Sequence, residues 1–75
     1  MEVEAIKYLA AAAAVTLSGL GAAISEGWIA SKAMEAMGRN PSAGKDMFTR
    51  LIVAMALVES IAIYGFVTTL IILFL

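Results

Sequence analysis

The side chain best placed to do chemistry stands in VAMALVESIAIYG, residues 53–65, where Glu59 is the one charge in a run otherwise suited to hydrocarbon. An ionised acid at bilayer depth costs at least about 2.5 kcal/mol, so its presence there points to a use. A second acid, Glu26, follows the uncharged stretch at residues 8–25. Counted from Pro41, Glu26 lies 15 residues back and Glu59 lies 18 residues on. In regular helices the two differ in depth by only about 4 to 5 Å and can meet. Two like charges that close cannot both ionise cheaply. The pair therefore holds a proton on at least one carboxyl, or one cation between the two, and is neutral when loaded, as a carrier entering and leaving lipid must be. Glu26 lies closer to charged company and can also snorkel toward the head groups if its helix tilts. Ser60 adds a hydroxyl beside Glu59, and Tyr64 lies one turn beyond Ser60, within reach of the same or an adjacent carboxylate. Their plainer roles are a bond back to the helix for the serine and an interface anchor for the tyrosine. The candidate ion-binding set is thus Glu59, Glu26, Ser60 and Tyr64, with Glu59, Glu26 and Ser60 as the metal ligands if the ion is Na+.

Two helices must position these groups. With 75 residues, 63% of them apolar and 15% charged, the chain is too short and too apolar for an ordinary water-soluble domain. Residues 8–25, with the helical pattern continuing to about 37, and residues 51–75 are each long enough to cross a hydrocarbon core of about 30 Å. Both must be helices, because a backbone in lipid satisfies its own hydrogen bonds and two strands cannot close a barrel. Between them Gly38, Arg39, Asn40, Pro41, Ser42, Ala43 and Gly44 read as helix stop, turn and helix start. The expected fold is an all-α transmembrane hairpin of two antiparallel helices in a single membrane domain. Its first helix covers about 4–37, a polar loop about 38–44, and its second helix about 45–75. Lys32, Arg39, Lys45 and Arg50 gather around the turn. The positive-inside rule puts the loop in the cytoplasm and both termini outside.

The first helix carries a second pattern. From residue 19 to residue 27 every odd position is small: Gly19, Gly21, Ala23, Ser25 and Gly27. Alternate residues on a helix lie about 200° apart, so Gly19, Ala23 and Gly27 line one flank and Gly21 and Ser25 the other. One such ridge explains one close helix contact. Two ridges suit a helix held between two neighbours, which a closed ring of identical hairpins supplies. The plainer reading is that an alanine-rich membrane helix acquires small residues by chance and packs along only one ridge.

Taken together, the small-residue stripe from Gly19 to Gly27, the turn Arg39-Asn40-Pro41 and the run Glu-Ser-Ile-Ala-Ile-Tyr-Gly at 59–65 resemble the c subunit, or proteolipid, of the F-type ATP synthase rotor. The resemblance covers essentially the whole chain. It implies a rotor ring with the first helix inside and the second outside, and a coupling ion carried on Glu59. It implies a central-stalk contact at Arg39, Asn40 and Pro41, and a stator a subunit whose arginine unloads each carboxylate in turn. Ion flow through an energy-coupling membrane would then drive or follow rotation, with ATP made or hydrolysed on other subunits. The turn has asparagine where the family commonly has glutamine, which keeps the polarity. Glu26 stands where many members carry glutamine. Ile61 stands where sodium-binding members have a threonine that holds a water. Ser60 and Glu26 add oxygens and favour Na+, Ile61 removes one, and Tyr64 occurs in proton-coupled relatives too. Na+ is favoured over H+ by a narrow margin.

Other classes find little support. Cysteine and histidine are absent, so there is no disulfide, thiolate or imidazole chemistry. A net charge of −1 offers no basic stripe for nucleic acid. The acidic start at Glu2 and Glu4 is unlike a secretory signal, and the chain is expected to be used whole. Gly19-x-Gly21 is no nucleotide fingerprint, because no strand precedes it. The chain itself is expected to hold no catalytic site and no organic cofactor, only the coupling ion, with membrane lipids and identical subunits around it. The rival reading is a small structural or pore-forming hairpin in which Glu59 lines a static hydrated passage.

Overall fold

The computed structural model describes residues 2–75. Helix α1, Val3–Arg39, and helix α2, Gly44–Phe74, are joined by Asn40 and a 3-10 turn over Pro41–Ala43, and no strand occurs among the described residues. Proline sets the break. A residue before proline is driven out of the helical region, and Asn40 sits at φ −139° and ψ 78°. Pro41, with its fixed φ, then opens the turn. Gly38 stays helical, so α1 runs to Arg39 where the composition suggested a stop near residue 37. Glycine permits a break, and proline compels one. The freed backbone groups are paired locally: the Asn40 N–H donates to the Ala36 carbonyl at 3.0 Å and the Ala43 N–H to the Asn40 carbonyl at 3.1 Å. Ser42 Oγ donates to Asn40 Oδ1 at 2.7 Å. Arg39 closes α1 and Asp46 opens α2, each charge opposing the local end of the helix dipole.

The two helices pack antiparallel along a seam. The less exposed positions of α1 include Ala11, Val15, Ser18, Ala22 and Glu26, and those of α2 include Leu51, Ala54, Val58, Ala62, Gly65 and Thr69. Spacings of three and four residues on both sides give the shallow crossing of coiled-coil packing. Two close contacts lie toward the termini. Thr69 Oγ1 donates across the seam to the Ala11 carbonyl at 2.5 Å. One turn nearer the loop Gly65 lies against Ser18 and Ala14, so closely that a Cβ there would stand 2.8 Å from the Ala14 carbonyl oxygen. Toward the loop the seam opens into an apolar groove of about 230 Å³ bordered by Ile29, Ala33, Met47 and Leu51.

The hairpin measures 58 × 19 × 7 Å between Cα extremes. So thin a body has almost no interior. Among the described residues only Ala11, Ala22, Leu51 and Thr69 are buried, while Leu17, Leu20, Ile24, Leu57, Ile63 and Phe66 are among the exposed apolar side chains. Water would not tolerate that surface, whereas lipid or further helices would. Both helices are long and apolar enough to cross a membrane. Exposed ion pairs collect near the loop: Lys32 with Glu35 at 3.6 Å, Arg39 with Glu35 at 4.0 Å, and Arg50 with Asp46 at 3.0 Å. Such pairs add little stability. They gather charge at the loop end, as Glu2, Glu4 and Lys7 do at the other.

Candidate functional site

Register decides whether the two acids meet. Cross-seam pairs run from Thr69 with Ala11, through Gly65 with Ala14 and Ser18, to Gly44 with Met37. By that pairing Glu59 stands level with about residue 21, and Glu26 lies roughly 7 Å nearer the loop. The offset exceeds the 4 to 5 Å expected from a count centred on Pro41, because the pairing pivots closer to Asn40. Side-chain direction closes the gap. Helical side chains lean toward their own N-terminus, so in an antiparallel pair Glu26 leans away from the loop and Glu59 leans toward it. The two carboxyl groups come within hydrogen-bonding reach of each other. Glu26 is half-buried on the seam, and Glu59 is exposed on the adjoining flank of α2. One carboxyl of the pair is thus held between the helices while the other remains open to whatever lies beside the hairpin.

The remaining candidates lie elsewhere on the hairpin. Ser60 is about 100° and Tyr64 about 140° round α2 from Glu59. Ser60 Oγ donates to the Leu57 carbonyl of its own helix at 2.6 Å, and Tyr64 is 71% exposed. Within one hairpin neither joins the carboxyl pair. Among the described residues no cluster of three or more acidic, histidine or cysteine side chains gathers as a metal site. Of the small residues, Gly21, Ala23, Ser25 and Gly27 are exposed and Gly19 is half-buried. A Cβ on Gly19, Gly21 or Gly27 would meet no atom within 4 Å. The seam runs instead through Ala11, Ala14, Ser18 and Ala22, leaving one ridge on each side of it. Arg39, Asn40 and Pro41 are exposed at the tip of the loop.

Gly65 and Thr69, which no sequence signal by itself singles out, both make close contacts between the helices. Their spacing of four, small then hydroxylated, is the same small-xxx-small signal that marks α1.

Residues 9–72 match the family model for the C subunit of ATP synthase. The chain belongs to that family. The matched region takes in the carboxyl pair, the loop, the seam and both small-residue ridges. Among individual relatives, the chain is 40% identical over 74 residues to the ATP synthase c subunit of Dehalococcoides mccartyi, covering 99% of this chain and 97% of the relative. It is 38% identical over 72 residues to that of Lactobacillus helveticus, covering 96% and 94%. With the one from Petrotoga mobilis it shares 40% over 68 residues, covering 91% and 71%. Family membership and two apolar helices of this length make the chain a membrane protein with two spans.

Proposed function

We propose that this chain is the ion-carrying subunit of the rotor ring in the Fo membrane sector of ATP synthase, and that Glu59 reversibly binds the coupling cation with Glu26 as its partner. The observation that carries the reading is the meeting of the two carboxyls between membrane-crossing helices. Two carboxylates in contact there cannot both stay ionised cheaply. A proton shared between them, or a cation held by both, relieves the repulsion and leaves the rotor face close to neutral. Glu59 lies on an exposed flank, so it can be loaded and unloaded without parting the seam.

The ring supplies what one hairpin lacks. Ridges of small residues on both flanks of α1 let neighbouring copies of α1 approach closely on either side, leaving α2 to the outer layer. In that arrangement the flank of α2 bearing Glu59 faces the next copy's opposite flank, the side on which Tyr64 lies. Ser60 and Tyr64 then serve a neighbour's carboxylate. Sodium stays narrowly ahead of the proton as the coupling ion. Glu26 adds an acidic oxygen and Ser60 a hydroxyl, while Ile61 offers no ligand. The basic residues at the loop end favour a cytoplasmic loop with both termini outside, and Arg39, Asn40 and Pro41 are exposed for a central-stalk contact. A stator a subunit with an essential arginine would discharge Glu59 once per passage. The ATP chemistry belongs to other subunits.

The test is carbodiimide labelling of the purified ring, read by mass spectrometry over a pH series with and without Na+. The reagent modifies protonated carboxyls in apolar surroundings. Labelling at Glu59 that Na+ suppresses at fixed pH establishes sodium coupling. Labelling at Glu59 that follows pH alone establishes a proton-driven rotor. Labelling elsewhere, with Glu59 untouched at every pH, removes Glu59 from the mechanism.

A further inference from the structure

The packing along the seam is uneven, and the unevenness bears on the carboxyl pair. Thr68 and Thr69 are neighbours in sequence with different bonds. Thr68 Oγ1 donates to Tyr64 four residues back, at 2.9 Å, as a membrane-helix threonine ordinarily does. Thr69 Oγ1 instead crosses to the Ala11 carbonyl at 2.5 Å and is buried. Gly65, one turn nearer the loop, is seated on Ser18 and on the backbone of Ala14 with no room for a methyl group. These are directional and steric constraints, and they lie six to ten residues from Glu59. On the other side of Glu59 the seam opens into the apolar groove by Ile29, Ala33, Met47 and Leu51. The turn at Pro41 is 18 residues from Glu59, roughly 27 Å along the helix. Apolar packing continues past Glu59, with Ala22 and Leu51 both buried, but the cross-helix hydrogen bond and the glycine seat both lie on its terminal side.

We infer that Thr69 and Gly65 form a register clamp, in which the Thr69 to Ala11 hydrogen bond and the Gly65 seat fix the axial and rotational position of α2 so that Glu59 meets Glu26. Thr69 is a positioning residue. It touches neither carboxyl, and acts by setting where α2 lies against α1. The inference rests on the reading of the Glu59–Glu26 pair as the ion site. A slip of one residue moves Glu59 by about 1.5 Å and turns it by about 100°, enough to part the carboxyls.

The test compares Thr69→Val, which keeps the shape and loses the donor, with Thr69→Ser, which keeps the donor. The pair Ala22→Cys and Val58→Cys, set opposite each other by the register, reports disulfide yield in native membranes without requiring ring assembly. In the purified ring, the Na+ concentration, or in a proton-coupled ring the pH, that half-protects Glu59 from carbodiimide reports the site. Thr69→Val is expected to lower the disulfide yield several-fold and to move half-protection by 3- to 10-fold in ion concentration, with Thr69→Ser restoring both. Gly65→Ala, which opens the same clamp from its other half, is expected to lower the disulfide yield as well. Wild-type values for both readouts in Thr69→Val overturn the clamp. A changed disulfide yield with unchanged half-protection overturns its role at the site. If Glu59 in the wild-type ring responds to neither Na+ nor pH, the ion-site reading fails, and the disulfide yield still decides whether Thr69 sets the register.

Discussion

Replacing Gly65 by alanine tests the closest approach of the helices at any glycine. The added Cβ would stand 2.8 Å from the Ala14 carbonyl oxygen and closer still to the Ser18 side chain, whereas ordinary contact begins near 3.4 Å. The Ser18 Oγ can rotate aside, but the Ser18 Cβ, 2.7 Å away, and the Ala14 carbonyl are both fixed to the α1 backbone and cannot. The helices must part locally by about 0.7 Å. Overpacking of this kind costs about 1–3 kcal/mol. Against that stands the better helix propensity of alanine, about 0.8–1 kcal/mol, so the expected net loss runs up to about 2 kcal/mol, centred on about 1 kcal/mol. Gly21→Ala is the control, since no atom lies within 4 Å of its added Cβ in the hairpin. Only the propensity gain applies there. Both variants can be followed as single hairpins in mild detergent titrated with dodecyl sulfate, with helix content read by circular dichroism and packing by the fluorescence of the sole tryptophan, Trp28. Gly65→Ala should unfold at lower dodecyl sulfate than wild type, and Gly21→Ala should not. If the two behave alike, the helices do not approach so closely at Gly65, and the register clamp falls with that contact.

Three further substitutions address the proposed function. Glu59→Gln should abolish ion translocation in reconstituted vesicles while the ring still assembles; a variant ring that carries ions would exclude Glu59. Glu26→Gln should be milder, leaving translocation measurable and shifting the pH profile of carbodiimide labelling at Glu59, because the amide removes the partner that shares the proton or cation. An unchanged profile would make Glu26 a bystander. Gly21→Leu should leave the hairpin folded and prevent ring assembly on native gels, since the bulk enters space that is open in the hairpin but is needed by a neighbouring helix.

Much of the fold was legible because lipid leaves so few options. Apolar runs of this length can only be helices, and Pro41 fixes where the chain turns. The approach of Glu26 and Glu59 was legible in part: counting from Pro41 puts them at similar depth, but the register sets them roughly 7 Å apart and only the lean of the two side chains closes that gap. The seam was not. In a soluble helix the polar face reveals the buried one by contrast, but here Leu17, Leu20 and Ile24 are as apolar as anything against α2 and are exposed. What separates the faces is size. Ala11, Ala14, Ser18 and Ala22 are small and meet α2, and Gly65 and Thr69 answer them. The small-residue ridges Gly19-Ala23-Gly27 and Gly21-Ser25 are a second use of the same device on other faces, and a ridge in sequence does not say which neighbour it awaits. Ser60 and Tyr64 lie close to Glu59 in sequence, but turns of about 100° and 140° carry them to other faces of α2 within one hairpin.

That separation of faces bears on how a rotor subunit would work. If the ion site were sealed within the seam, loading it would require α1 and α2 to part, breaking the Thr69 to Ala11 bond and the Gly65 seat at every step. Under the proposed function the work divides otherwise. Glu26 belongs to the seam and stays with it, while Glu59 leans onto Glu26 from an exposed flank. Loading then requires a rotation of one side chain about its χ angles, on the nanosecond scale for exposed residues, and no helix need move. A rigid hairpin with a mobile carboxylate predicts that cross-linking positions 22 and 58 leaves ion translocation intact in the assembled complex. Loss of translocation on cross-linking, restored by reduction, would instead require the seam to open during each ion's passage.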